Sequence, residues 1–319
     1  MKILTLFFLL LSLISPRPAM AESKPLRIVT MNFPAFDFSR VIAGGQGQVE
    51  LLLPPGAEAH SFEPSPRDVV KLQQADLLVY NGGIGDYWVE EVLASMGDSA
   101  PSALRMMDAV QTVKEELAEG MEDVPHAHDS KEELEEKHDE HLDRELDEHV
   151  WTSPLNAKLI AGAIADRLTL LDPDGQAGYL ERFAAYAAEL DGLDLAFREM
   201  IQVSKRKTIV LGDRFPMRYF TMEYGLSYYA AFPGCSAQTE PNPRTLAFLM
   251  DKIASEKIPV VFYIEFSNQR AARIIAEETG AEPMLLHSAH NVTQTEMDEG
   301  ISYLSIMKNN LITLQEALN

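Results

Sequence analysis

Along the chain, short apolar runs alternate with longer segments in which apolar residues recur every three or four positions. That is the rhythm of strands alternating with helices in a parallel α/β sheet. Leu26 to Met31 (LRIVTM) reads as a buried strand and Phe33 to Ile42 as a helix, with further strands at Val49 to Leu53 and Asp76 to Tyr80 and helices at Pro66 to Gln74 and Tyr87 to Leu93. Pro154 to Leu171 is the last helix of this half, stopped by the turn cluster Leu171-Asp172-Pro173-Asp174-Gly175. Beyond it, Tyr179, Phe183, Tyr186, Leu190, Leu193, Phe197 and Ile201 share one face of a single amphipathic helix of about 26 residues, roughly 39 Å long. A second alternating half follows, with strands Thr208 to Leu211, Ser227 to Ala231, Pro259 to Ile264 and Pro283 to Leu286. Its helices lie near Met217 to Tyr224, at Pro243 to Ile253 and at Asn268 to Thr279, and one long last helix runs from Val292 to Leu318. The expected fold is α/β: two lobes, each with a mainly parallel sheet flanked by helices, joined by one long rigid helix. On this reading residues 22–172 form the N-terminal lobe, 173–204 the linking helix and 205–319 the C-terminal lobe.

Two stretches break the rhythm. At the N-terminus, Lys2, an apolar run from Ile3 to Ile14 and the small-residue pattern Ala19-Met20-Ala21 read as a secretory signal peptide over residues 1–21. The run is too short to span a membrane, so an exported, soluble mature chain is expected, in the periplasm. Loss of Lys2 and Arg17 moves the formal charge from −22 to −24, which makes nucleic acid an unfavourable partner because phosphate repels so acidic a chain. Cys235 is the one cysteine, so no internal disulfide forms and hydrophobic cores hold the fold.

The second break runs from about 114 to 148, where sixteen Asp and Glu face four Lys and Arg, with His126, His128, His138 and His141 among them. So few apolar residues cannot offset the entropy of ordering the segment, and a solvated loop is its default state. Five of the eight histidines lie between His126 and His149, however, and imidazole mixed with carboxylate collects divalent ions, zinc above all.

Other candidate ligands fall where strands end. His60 follows the strand Val49 to Leu53, and Ser65, Pro66 and Asp68 suit the start of the next helix. His149 precedes Ser153, an N-cap, and Pro154, a first helical residue. Asp213 follows the strand ending at Leu211, and His287 the strand ending at Leu286, with Asn291 and Gln294 placed to cap the helix after it. Open α/β sheets bind ligands at the carboxyl ends of their strands, and this set draws two residues from each half. Glu265 and His290 are further candidates. Taken singly, each has an ordinary alternative: a loop histidine commonly makes a surface hydrogen bond, Arg214 offers Asp213 a salt bridge, and Cys235 reads as a small buried residue although a thiolate binds zinc well.

The stretch PPGAEAHSFEPSP around His60, the acidic histidine-bearing loop, HVWTSP at His149, the long central helix and the tail VVFYIEFSNQ with LLHSAHNV together resemble the zinc and manganese solute-binding proteins of bacterial ABC importers, cluster A-I. The resemblance covers essentially the whole mature chain. It implies a metal ion held between the two lobes by His60 and His149, with Asp213 matching the third ligand and His287 the fourth. It also implies a monomer that meets an inner-membrane ABC permease with its ATPase. Three imidazoles and one carboxylate suit tetrahedral Zn²⁺, whereas Mn²⁺ prefers more oxygen ligands. The acidic loop is then an antenna or a plain tether, holding accessory ions at His126, His128, His138 and His141, with Glu265 and His290 in reserve. Alternatives are a manganese-binding importer subunit and a periplasmic zinc chaperone or buffer, and the family includes adhesion-linked members. A zinc hydrolase would require an open coordination position and a general base, and the sequence contains neither an H-E-x-x-H motif nor a nucleophile elbow. Because bound imidazole must be neutral, affinity is expected to weaken as pH falls through about 6.

Overall fold

A computed structural model describes residues 24–58, 62–121, 146–234 and 241–319. The expected signal peptide, His60, His126, His128, His138, His141 and Cys235 lie outside the described residues. In the first half, β1 (Leu26–Thr30), α1 (Phe33–Ala43), β2 (Gly47–Leu51), α2 (Pro66–Gln73), β3 (Leu77–Tyr80), α3 (Tyr87–Met96), β4 (Ser102–Arg105) and α4 (Pro154–Leu171) alternate as the apolar pattern requires. The linking helix α5 (Gln176–Val203) has 28 residues. In the second half come β5 (Thr208–Phe215), α6 (Arg218–Tyr224), β6 (Ser227–Pro233), α7 (Pro243–Glu256), β7 (Val260–Tyr263), α8 (Arg270–Thr279), β8 (Glu282–Leu285), α9 (Gln294–Asp298) and α10 (Tyr303–Leu318). The sheets have the orders β2-β1-β3-β4 and β6-β5-β7-β8, and every pairing is parallel. The two lobes therefore repeat one topology.

Alternation within the strands builds three cores. Ile28, Leu77 and Val79 of one sheet and Ile209, Leu211, Val260 and Phe262 of the other join a single apolar cluster with Trp151, Tyr186, Phe197 and Tyr303. Their strand neighbours point the opposite way: Val29, Leu78 and Tyr80 pack with Leu72 and Val89, while Val210 and Val261 pack with Leu249, Ile253 and Ile275. One continuous core thus runs through both lobes and the linking helix.

One strand was not expected from the sequence, and three expectations change. Strand β4 has no apolar signature because only Leu104 of its four residues is buried. Strand β5 runs on past Leu211 through a register shift before Arg214, so Asp213 lies inside the strand and not in a loop after it. The last helix is two helices, since Gly300 takes a left-handed φ of 77° and Ser302 caps a new start with Ser305. The cap of α9 is Thr293, boxed with Glu296, which leaves Asn291 to bond elsewhere.

Hydrogen bonds stitch the lobes around the end of β8. The Asn291 amide donates to the carbonyls of Pro54 and Ala57 at 2.8 and 2.9 Å, Gly56 N donates to Val292 O at 2.8 Å, and Trp151 Nε1 donates to Ser288 O at 2.8 Å. Tyr303 adds a fully buried link, its hydroxyl donating to Trp151 O at 2.7 Å while its backbone N–H donates to Asp37. Replacing Tyr303 by Phe keeps the ring but strips the Trp151 carbonyl of this partner, so urea unfolding should register a loss of about 1–3 kcal/mol without a change in helix content.

Candidate metal centre

The carboxyl ends of the two sheets face one pocket, lined among others by Ala57, Glu58, His149, Arg214, Glu265 and His290. Its volume of about 30 Å³ suits a single small ion or a water, not an organic substrate.

His149 is 1% exposed and sits at the mouth of α4, which Ser153 caps and Pro154 opens. Its Nδ1 lies 3.1 Å from Asp147 Oδ1, and its backbone N–H donates to the same oxygen at 2.8 Å. A carboxylate only accepts, so Nδ1 carries the proton and, in the neutral ring, Nε2 carries the lone pair a metal requires. Burial opposes charge on this ring, but the Asp147 charge and hydrogen bond outweigh it and hold the His149 pKa above the ordinary histidine value. Asp147 is itself fixed by its backbone, which donates to Val113 O at 2.9 Å and accepts from the Tyr219 hydroxyl at 2.7 Å. Asp147 and Glu148 are 1% and 3% exposed. They belong to the built site, whereas the sequence reading placed them in the solvated acidic tract.

The second imidazole is His290. Its ring stands perpendicular to that of His149 with centroids 5.8 Å apart, and 4.9 Å from the Trp151 ring. His290 belongs to a turn from His287 to Asn291 in which Ala289 takes a left-handed φ of 61°. His287 points elsewhere: its Nδ1 accepts from Ala289 N at 2.9 Å, its backbone pairs with the Asn310 amide, and it lines a separate cavity between β8 and α10. The structure therefore brings His290, not His287, against His149. Glu265 is occupied within the turn, accepting from Ser288 N at 2.7 Å, from the Ser288 hydroxyl and from His290 N at 3.1 Å.

Asp213 does not line the pocket. It accepts from Arg214 N at 2.8 Å, and burial pushes its carboxyl up against the hydrogen bonds of Ser267 and Arg214 that hold it down. Arg214 does line the pocket and pairs at 2.8 Å with Glu58, two residues before His60. On the far side of the cleft, Gly234 packs so closely that an added Cβ would stand 3.1 Å from His149 Cε1. Among the described residues no group of three or more His, Cys, Asp and Glu converges on one point, and the two imidazoles brought together at the pocket are His149 and His290. Sequence reading missed Asp147, and its only signal was the D-x-H spacing to His149.

The model of the zinc-uptake complex component A, periplasmic, matches residues 28–317. The high-affinity zinc uptake system protein ZnuA of Bacillus subtilis strain 168 is 30% identical over 306 residues, covering 93% of this chain and 90% of its own length. The zinc-binding lipoprotein AdcA of Streptococcus pneumoniae is 31% identical over 291 residues, and this chain spans about half of it, 55%. The crystal structure of the Zn(II)-bound ZnuA-like domain of that AdcA superposes with a TM-score of 0.74 at 27% identity, covering 92% of this chain and 99% of the domain. With the match running from the first strand to the last helix, the chain belongs to the family of the periplasmic zinc-uptake complex component A.

Proposed function

We propose that this chain is the exported zinc-capture subunit of an ABC importer. It takes up Zn²⁺ between its lobes through His60, His149 and His290 and passes the ion to an inner-membrane permease driven by its ATPase. One observation carries the reading: a buried imidazole, proton-locked by Asp147, faces a second imidazole across a pocket the size of an ion. His60 is the third donor on the strength of its sequence motif, and the described residues that flank it are held, Gly56 by Val292, Ala57 by Asn291 and Ser65 by the capping box of α2. Nitrogen donors favour zinc over manganese. Glu265, a general base a hydrolase would need, has its oxygens engaged by Ser288 and His290, which supports a reading of binding. The chain acts as a monomer in the periplasm after cleavage at Ala21. Among the described residues the chain runs to Met121 and resumes at Leu146, which bridges to Lys114, directly before Asp147 and His149; the histidines between Met121 and Leu146 act as a low-affinity zinc antenna.

Zinc titration with metal analysis tests this. Single His149→Ala and His290→Ala variants should each weaken the tight site by more than roughly 100-fold, beyond what loss of a supporting residue costs, while deletion of residues 122–145 keeps one tight zinc. If the tight site leaves with the loop, the chain is a zinc buffer and the cleft reading fails.

The raised pKa of His149 sets a pH dependence. Protons compete for Nε2, so affinity is full above the raised pKa and falls as pH drops through it, starting higher than for an ordinary histidine. Chelator competition between about pH 7.5 and about pH 5.5 should show this loss. Asp147→Asn should shift it to lower pH and weaken binding roughly 10–100-fold at neutral pH.

A further inference from the structure

Glu265 stands beside the two imidazoles, yet its carboxylate is turned away from ligation and into the backbone of the His287–Asn291 turn. One oxygen accepts from Ser288 N at 2.7 Å, and the other accepts from the Ser288 hydroxyl and from His290 N at 3.1 Å. The same carboxylate lies 3.5 Å from His287 Nδ1 and its side chain is 8% exposed. The turn it grips is an improbable one. Ala289 has a left-handed φ of 61° without being glycine, and such a residue persists only where its surroundings over-determine it. The other bonds to the turn come largely from the opposite lobe, from Phe33 N to His290 O, from Trp151 to Ser288 O and from Asn291 to Pro54 and Ala57. From its own lobe, Asn310 holds His287 at the start of the turn, and His290 N donates both to Glu265 at 3.1 Å and to Ser288 Oγ at 3.2 Å, the hydroxyl that itself donates to Glu265.

We infer that Glu265 is a positioning residue for zinc: by holding the backbone of Ser288 and His290 it fixes where the His290 ring stands relative to His149. This rests on the proposed zinc reading of the cleft and extends it to a residue that does not touch the ion. A carboxylate in this place matches the chemistry of the turn, which presents three donors from Ser288 and His290 to its two oxygens. Glutamine in its place retains one acceptor and sets an amide N–H₂ against the Ser288 N–H, so it cannot reproduce the grip. Supporting hydrogen bonds of this kind typically govern metal affinity by one to two orders of magnitude.

The test uses the full mature chain, with Zn²⁺ affinity measured by chelator competition and with Co²⁺ as a spectroscopic stand-in. Glu265→Gln and Glu265→Ala should weaken zinc roughly 10–100-fold, Ser288→Ala should weaken it less because both backbone donors remain, and the Co²⁺ d–d bands of the Glu265 variants should shift because ring placement changes. A residue serving the fold alone would lower the melting temperature of the metal-free chain and leave the Co²⁺ spectrum and the affinity of the folded protein as they were. That outcome overturns the inference, as does affinity within about twofold of the parent in both Glu265 variants. Should Glu265→Ala fail to fold, Glu265→Gln and Ser288→Ala decide by the same readouts. His149→Ala and His290→Ala are run beside them: if those two keep tight zinc, the cleft reading itself has failed, whereas if they lose it and the Glu265 variants do not, only this inference has.

Discussion

The hydrogen bond between Asp147 and His149 Nδ1 is the contact on which the centre depends. An imidazole offers a metal one lone pair, and which nitrogen bears it is decided by what the other nitrogen does. Asp147 makes that choice, but a buried carboxylate is tolerated only when its oxygens and its backbone are satisfied. Here the same oxygen takes two N–H donors from His149, and the backbone is held by Val113 in one lobe and by Tyr219 of α6 in the other. The orientation of His149, from the first lobe, thus depends on a hydroxyl from the second.

His290 shows the converse dependence. It is carried by the second lobe in sequence, yet its carbonyl accepts from Phe33 and its neighbours Ser288 and Asn291 bond to Trp151, Pro54 and Ala57. Each lobe therefore positions the other's imidazole. That reciprocity is possible because both sheets run parallel with the same strand order, which turns both sets of carboxyl-end loops toward one crevice. It also explains why the pocket is no larger than an ion: the loops meet through backbone hydrogen bonds, and little space remains between them.

Much of this was legible in the residues. The short apolar runs in LRIVTM, TIVL and VVFY mark buried strands because both faces of each sheet are covered, and the seven apolar positions from Tyr179 to Ile201 give the linking helix directly. Strand β4 was not legible, since Ser102-Ala103-Leu104-Arg105 carries only one buried side chain and is a strand through its pairing with β3. The choice between His287 and His290 was illegible for a different reason. Both follow β8 within five residues, and the turn that separates them is built on a left-handed Ala289, an ordinary residue in an unusual conformation that no sequence signal marks. Asp147 was hidden by its company: sixteen acids in a row of thirty-five positions look alike until folding buries one against an imidazole.

The shared core constrains how an ion enters and leaves. Parting the lobes would uncover Trp151, Phe197 and Tyr303, each fully buried in the cluster that spans both sheets and the linking helix, and large side chains of this kind cost about 1.5–3 kcal/mol apiece to expose. The 28 residues of α5, about 42 Å of continuous helix, offer no break at which to hinge. The loop after β7 is a different matter. Phe266 lines the pocket, is 43% exposed and holds a left-handed φ of 57°, a conformation that costs a bulky residue about 1–3 kcal/mol. Moving that loop opens the pocket at the expense of one strained residue, while moving a lobe sacrifices a core. Exchange through the strand-end loops, with the lobes nearly fixed, is the course the energetics favour.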